Sequence, residues 1–395
     1  MDRQHGTELC LIEQIERLAR KNHWIIELYS QRVSQLNGVR PASTVSPNEP
    51  YTIRWHQVSD IPGPHVIKYL WWFFANYWQR WRDRHSGRVR PDLVYSPGIN
   101  CPDADVIVVH IVFHGFYERV RSELALHRLP LQTWPRVIHR KLYYKLTTFL
   151  ERKIYRDQNV RLVAVSSLVA AQLKSYFGRE DVTVIRNTVD TLRFSPEVRI
   201  ARRNASRQSL SYGENDFVLL LIGNDWKKKG LDTLLKALTL LSDLPLRLLV
   251  VGNDDPSFYR PLLDRLGLQN RTRFEKPSSD VLSFYAVADL YIGPSLEDAF
   301  NLPILEAMAC GLPVIASANA GASELIRDGE TGFILRDPHD HLQLASLISR
   351  IQAESWLRVS MGAAASHYLM TNYSWDDNAE RTRELLEGIL SSSRI

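Results

Sequence analysis

The sequence predicts an α/β protein built from two doubly wound, mainly parallel sheets. Three observations carry this. The chain has 395 residues, more than one hydrophobic core ordinarily supports, so two domains of roughly 150–200 residues are expected. In the C-terminal half, short apolar runs alternate with segments of helical apolar spacing, the pattern of βαβ units. The N-terminal half repeats that alternation less regularly.

Taken in order, Glu8–Lys21 has amphipathic helical spacing and Trp24–Tyr29 is a strand. Asp92–Tyr95 and Asp105–His110 are short strands, as are Arg161–Val165 and Val182–Ile185, with a helix between the last two. The polar stretch Asp190–Gly213, with its arginines and one proline, is the expected linker. Asp216–Ile222 is a buried parallel strand ending in glycine, Leu231–Leu241 a helix, and Leu246–Val251 the next strand. A helix at Tyr259–Leu266, a strand at Arg271–Phe274 and a helix at Val281–Ala288 follow. The strand Leu290–Ile292, the helix Leu302–Cys310 and the strand Pro313–Ala316 complete the alternation. Trp375–Leu390 reads as a helix. The domain expectation is therefore 1–200, 201–372 and a terminal helical segment 373–395 packing back toward the first domain. The chain opens on a loop and helix with no strand before them, although the first strand of a doubly wound sheet is central. A first strand is thus expected to be missing from the N-terminal sheet.

Composition narrows the class. With 45% hydrophobic and 24% charged residues the chain is globular in type, and its formal charge of +5 suits a polyphosphate ligand, an anionic membrane or nucleic acid without choosing among them. Cys10, Cys101 and Cys310 are odd in number and form no CxxC pair, which argues against a disulfide framework or a zinc site. No apolar run approaches the roughly 20 residues a spanning helix needs, and the polar start is not that of a signal peptide. A cytoplasmic location is expected, with room for peripheral contact on the cytosolic face of a membrane.

Chemistry concentrates in two loops. Ser295-Leu-Glu-Asp298-Ala-Phe300-Asn301-Leu302-Pro-Ile-Leu-Glu306 runs from a strand into a helix. The first helical turn there offers unpaired amides to an anion. Asp298 and Glu306, eight residues apart, are acceptors for the vicinal hydroxyls of a sugar or ribose. Gly223-Asn224-Asp-Trp-Lys227-Lys228-Lys229-Gly230 likewise follows a strand and opens a helix, and cations there neutralise charge developing on a departing diphosphate. A solvated acidic loop and a solvated lysine face are the plainer readings; for the lysine run, its register with the strand and Gly230 favours the chemical one.

These residues resemble glycosyltransferase family 4, the group 1 retaining glycosyltransferases. The family carries two glutamates separated by seven residues in a glycine-containing context before Leu-Glu-Ala-Met-Ala-Cys-Gly; here Asp298 stands in the first position and Glu306 in the second, with Ala299 and Asn301 where glycines are usual. The family's Gly-Arg-x4-Lys-Gly is matched by Gly223 through Gly230, with Lys229 in the lysine position and Asn224 in the arginine position. The form Asn-Asp-Trp-Lys-Lys-Lys-Gly is similar to the lipopolysaccharide-core glucosyltransferase branch. The likeness covers most of 160–390 and includes Ile185-Arg-Asn187, Ala320-Gly321 and Asp328–Gly332.

The resemblance implies a GT-B fold, two Rossmann-like domains facing a cleft. It implies that Asp298 (or its neighbour Glu297) contacts the donor sugar and Glu306 the ribose. Lys229, with Lys228 or Lys227 compensating for the absent arginine, would hold the diphosphate with the amides of Phe300, Asn301 and Leu302. Phe274-Glu275-Lys276 would place its backbone at the nucleobase. In the N-terminal half the resemblance puts a histidine after a strand near the donor sugar, which points to His110, with His114 four residues on as the rival. Gly6, in His5-Gly6-Thr7-Glu8, corresponds to a glycine loop approaching donor phosphate or acceptor.

Two motifs need separate weighing. Asp103-Ala-Asp105 has the form of a metal motif of the other glycosyltransferase fold, but it precedes an N-terminal strand and is read as strand-start polarity. Tyr69–Arg82 is densely aromatic, then basic. It suits either a helix buried against a sheet or one lying at a membrane interface. No nucleic-acid-binding motif accompanies it.

The expected activity is retaining, metal-independent transfer of a sugar from a nucleotide-diphosphate sugar to a hydroxyl of a glycan or lipid-linked acceptor, with no cofactor. Catalysis would fall to Lys229, Asp298 and His110. The absence of an obvious N-terminal nucleophile favours same-face attack over a covalent intermediate. The alternatives are a degenerate binding or scaffold protein of the same fold, for which the absent arginine and glycines argue, and an epimerase or phosphorylase, which would act without a hydroxyl acceptor. A nicotinamide dehydrogenase is disfavoured, since no GxGxxG opens a βαβ unit.

Overall fold

The computed structural model describes residues 6–22, 24–42, 52–121, 124 and 134–392. They form two compact units, one reaching Arg186 and taking up the chain again from Asp376, the other running from Asn187 to Trp375.

The first unit begins with α1 (Gly6–Asn22), β1 (Ile25–Ser30), β2 (Val39–Pro41), β3 (Thr52–Gln57) and α2 (His65–His85). It continues through β4 (Tyr95–Pro97), β5 (Val106–Val109), α3 (Phe113–Val120), α4 (Trp134–Tyr155), β6 (Arg161–Ala164), α5 (Ser167–Phe177) and β7 (Thr183–Val184). All pairing is parallel, but in two separate sheets, β1-β3-β2 and β4-β5-β6-β7. Among the described residues β1 pairs only with β3 and β4 only with β5, so each ends its sheet. β5, Val-Ile-Val-Val, is buried at every position, as β-branched residues are in a strand covered on both faces. α5 starts where Ser166 Oγ accepts from the Val169 N–H at 3.2 Å and stops at Gly178, whose φ of 72° only glycine adopts freely.

The second unit contains α6 (Pro196–Ser209), β8 (Phe217–Ile222), α7 (Leu231–Thr239), β9 (Leu246–Val251), α8 (Arg260–Leu266), β10 (Thr272–Glu275) and α9 (Leu282–Val287). β11 (Leu290–Gly293), α10 (Leu302–Ala309), β12 (Val314–Ser317), β13 (Phe333–Leu335), α11 (His341–Ala353) and α12 (Ser355–Asn372) follow. Its six strands form one parallel sheet in the order β10-β9-β8-β11-β12-β13, which reverses direction between β8 and β11. Leu219, Leu221, Leu248, Val250 and Ile292 of the strands are buried against Leu234, Leu238, Leu344 and Ile348 of the helices.

Several expectations shift. The stretch expected as a linker, 190–213, is largely α6: Ser195 caps it, and Arg203 and Arg207 reach the carbonyls and carboxylate around Asp289 at the start of β11. An arginine-rich segment therefore reads as polar linker in sequence and folds as a helix anchored by guanidinium forks. The units change at Arg186–Asn187 rather than at 200. The strand expected at Asp92–Tyr95 lies at Tyr95–Pro97 instead. β2, β3 and β13 are edge or near-edge strands that apolar periodicity alone does not reveal. The terminal helix α13 (Trp375–Ser392) joins the first unit through Asn378, which accepts from Gln14 Nε2 at 2.8 Å and donates to the Arg186 carbonyl at 2.6 Å.

The aromatic segment Tyr69–Arg82 lies within α2, and its burial is inverted relative to an ordinary amphipathic helix. Asn76, Arg80 and Asp83 are buried, and Arg80 forks onto both oxygens of Asp103 at 2.8 and 2.7 Å. Ile67, Trp71, Phe74, Trp78 and Trp81 are exposed, Phe74 and Trp78 by more than 60%. No helix among the described residues is long and apolar enough to cross a membrane.

Candidate functional site

The two sequence motifs converge in the second unit at the carboxyl ends of β8 and β11, the adjacent strands where the order of the sheet reverses. That is where open α/β sheets place ligands. The lysine loop leaves β8 at Gly223 and enters α7 through Gly230, whose φ is 79°. A Cβ on Gly230 would overlap the Pro294 carbonyl, so only glycine lets the two loops touch. The Leu296 N–H donates to the Lys228 carbonyl at 2.7 Å, tying the loops together again.

At their junction the Lys229 ammonium donates to Asp298 Oδ2 at 2.6 Å and to Asn301 Oδ1 at 3.2 Å. An ammonium has three N–H donors, so one remains for a phosphate oxygen. Asn301 caps α10 in the left-handed region, φ 70°, held by its own Nδ2 donating to Ser295 Oγ at 3.2 Å. That conformation is why glycine is the usual occupant. The N–H groups of Asn301 and Leu302 lie where a helix has no internal acceptor. The Phe300 N–H, expected to face a diphosphate, donates instead to Asp298 Oδ1 at 3.2 Å and so positions that carboxylate.

Glu306 lies on the second turn of α10. Its Oε2 accepts from the Tyr285 hydroxyl at 2.5 Å, and burial raises its pKa. The Tyr291 phenol, fully buried, is pushed well up by desolvation and then by the fields of both Asp298 and Glu306.

The remaining residues of the motifs divide. Gly223 has φ 144°, and a Cβ there would strike the Lys229 side chain, so it clears the path of the lysine. Asn224 Oδ1 accepts from the Asn253 N–H at 2.9 Å, bracing the β8 and β9 loops. Lys228 pairs with Asp225 at 2.9 Å. Lys276 is exposed just beyond β10. Trp226, Tyr285, Gly252 and Asn319 support the site without any sequence signal having singled them out. Trp226 is fully buried beneath the lysine loop against Phe274, ring centroids 4.8 Å apart. A tryptophan inside a lysine run is the one clue that this loop is anchored rather than solvated.

In the first unit Gly6 is the first residue of α1, and His5 lies outside the described residues. His110 ends β5 with its Nε2 buried and without a hydrogen-bond partner, and desolvation lowers its pKa to about 4. His114, its rival, is tied down: Nδ1 lies 2.7 Å from Oε2 of the buried Glu151, which burial raises to about 8. Burial also lowers the His114 imidazole. Asp103 is held by Arg80 and by Arg84 at 3.2 Å, and Asp105 accepts from the Val94 N–H at 2.7 Å. Among the described residues no group of three metal-ligating side chains forms.

Comparison with known proteins agrees with this geometry. The family model for glycosyl transferases group 1 matches residues 202–368, and that for glycosyltransferase family 4 matches residues 5–193. The chain is 32% identical over 246 residues to a D-inositol 3-phosphate glycosyltransferase of Thermomonospora curvata, 58% of this chain and 57% of that protein. It is 32% identical over 183 residues to the lipopolysaccharide glucosyltransferase WaaG of Escherichia coli, 45% of this chain and 49% of that protein. The chain thus spans about half the length of the curated relatives it matches. The crystal structure of WaaG, a glycosyltransferase involved in lipopolysaccharide biosynthesis, superposes with a TM-score of 0.71 at 21% identity, covering 96% of this chain and 95% of that one. Two Rossmann-like domains, parallel sheets throughout, and family models matching both halves make this chain a GT-B-fold member of the group 1 glycosyltransferases.

Proposed function

We propose that the protein transfers a sugar from a nucleotide-diphosphate sugar to a hydroxyl of a glycan or lipid-linked acceptor, with retention of anomeric configuration and without a metal or cofactor. The observation that carries this reading is the Lys229 ammonium held by Asp298 and Asn301 at the start of α10, with Glu306 two turns along. The bond between the anomeric carbon and the diphosphate oxygen breaks, and the negative charge it leaves is met by Lys229 and the amides of Asn301 and Leu302. The acceptor oxygen then forms the new bond to the anomeric carbon on the same face and passes its proton to the departing diphosphate oxygen. Glu306, buried and donated to by Tyr285, suits a ribose hydroxyl; Asp298, steered by Lys229 and Phe300, suits a sugar hydroxyl. A lysine in this place supplies the charge that a divalent cation would otherwise bring. His110, neutral and with an unpartnered Nε2, suits a hydrogen bond to a sugar hydroxyl. The exposed aromatic face of α2 and its basic end suit peripheral contact with the cytosolic face of an anionic membrane.

Isothermal calorimetry with UDP, GDP and ADP tests the donor reading: one of the three binds saturably, and Lys229→Ala weakens it at least tenfold while transfer of labelled sugar is lost. Absence of binding by all three would overturn the reading. Binding without transfer or donor hydrolysis would leave only a ligand-binding protein. Transfer should survive EDTA.

A further inference from the structure

The first unit contains a cavity of about 430 Å³ that the donor reading does not use. This lies within the roughly 300–1,000 Å³ of small-molecule sites. It opens between α2 and α4 beside Gln31. Its walls divide into two chemistries. Tyr69, Trp72 and Tyr143 line it with aromatic rings, Tyr69 being fixed by donating its hydroxyl to the Ile99 carbonyl at 2.9 Å and by its edge-on contact with Tyr143. Lys68 and Arg140 add cations, and among the described residues no aspartate or glutamate lines the cavity.

Among the described residues neither the half-buried Lys68 nor the exposed Arg140 makes an ion pair. Between them His139 has its Nε2 buried with no hydrogen-bond partner. A buried polar atom without a partner is unfavourable, and a ligand group can relieve it. Two uncompensated cations and an orphan ring nitrogen ask for a compact polyanion rather than a single carboxylate, because guanidinium and ammonium together match the several oxygens of a phosphoryl group. Flat aromatic walls ask for a ring with an apolar face and a polar edge, which is how a saccharide ring differs from bare phosphate.

We propose that this cavity binds a phosphorylated sugar, with the phosphoryl group on Lys68, Arg140 and His139 and the sugar ring against Trp72 and Tyr143. Its role as the acceptor's site rests on the transfer reading above; the binding itself does not. The same phosphosugar chemistry occurs in soluble sugar phosphates and in phosphorylated glycolipid headgroups.

The test uses the full chain and glucose 6-phosphate, glucose and inorganic phosphate as probes, followed by ligand-observed NMR and calorimetry. Glucose 6-phosphate should bind at least tenfold more tightly than either glucose or phosphate. Arg140→Ala and Trp72→Ala should each weaken it tenfold or more. His139→Gln, which keeps a hydrogen-bond donor, should weaken it less than His139→Ala. In each variant, binding of the nucleoside diphosphate should be unchanged, which separates failure here from failure of the donor reading and from misfolding. Sedimentation with vesicles carrying phosphatidylinositol 4-phosphate, with soluble inositol phosphate as competitor, distinguishes the sources. Competition that restores the free protein assigns the headgroup to the cavity, and vesicle binding indifferent to both competitor and Arg140→Ala assigns it elsewhere. Glucose 6-phosphate binding no tighter than phosphate, or unchanged by Arg140→Ala and Trp72→Ala, overturns the proposal.

Discussion

At the scale of single residues, two positions in the second unit depend on backbone that only a few residue types tolerate. Gly230 combines a left-handed φ with a Cβ position occupied by the Pro294 carbonyl. Gly230→Ala should therefore lower unfolding free energy by more than about 2 kcal/mol in urea titration, beyond the roughly 1 kcal/mol that a left-handed alanine costs alone. Asn301 bears the same backbone strain but returns it through bonds to Lys229 and Ser295. There its amide oxygen accepts from the Lys229 ammonium, a contact that glycine could not make. In the first unit, His110 makes stability pH-dependent. Its folded pKa, about 4, lies below the ordinary value of 6.5 because burial disfavours the charged ring. Above pH 6.5 the ring is neutral in both states. Between pH 6.5 and 4 the unfolded chain takes the proton first, so stability should fall with acidification across that window, by about 3 kcal/mol in all. Urea titrations from pH 7 to 4 should show that slope, and His110→Asn should remove this contribution to it.

At the scale of elements, α2 is the informative one. Its buried edge is polar because Arg80 and Asp83 join it to Asp103 and Tyr29, with Tyr29 donating to Asp83 at 3.1 Å. Its outer edge carries Ile67, Trp71, Phe74, Trp78 and Trp81 at three- and four-residue steps, one continuous stripe, with Arg82 and Arg84 in the last turn. Large rings beside cations favour a lipid–water interface. The full chain should sediment with phosphatidylglycerol vesicles and not with phosphatidylcholine vesicles, and the double change Trp71→Ser with Trp78→Ser should cut the bound fraction at least fivefold. Equal sedimentation of the double variant would remove α2 as the contact, and a concentration-dependent dimer abolished by the same changes would make the stripe a protein interface.

At the scale of the whole molecule, each unit has its own sheet system and core, so unfolding need not be a single transition. Calorimetry should show two. A nucleoside diphosphate at about one hundred times its dissociation constant should stabilise the unit from Asn187 to Trp375 by about 2.7 kcal/mol and raise that transition selectively. Both transitions moving equally would mean the units unfold as one.

Much of the second unit was legible in sequence because its strands are buried on both faces and its loops are pinned by glycines: β8, β9 and β11, the lysine loop and the Asp298–Glu306 segment all declare themselves by local pattern. The first unit was less legible because its strands are short, so that β2 and β3 carry no periodic signal; in the second unit α6 passed for a linker because its arginines read as solvated. What sequence alone determined was chemistry with a local origin, namely a cation and two carboxylates each placed at a strand-to-helix turn. Only the tertiary structure decided which of these meet: that Lys229 pairs with Asp298, that Tyr285 donates to Glu306, that Glu151 claims His114 and leaves His110 unpartnered, and that the aromatic face of α2 points outward. The physical reason is that burial and partnership are pairwise properties of residues distant in the chain, and a local pattern contains no information about the second member of the pair.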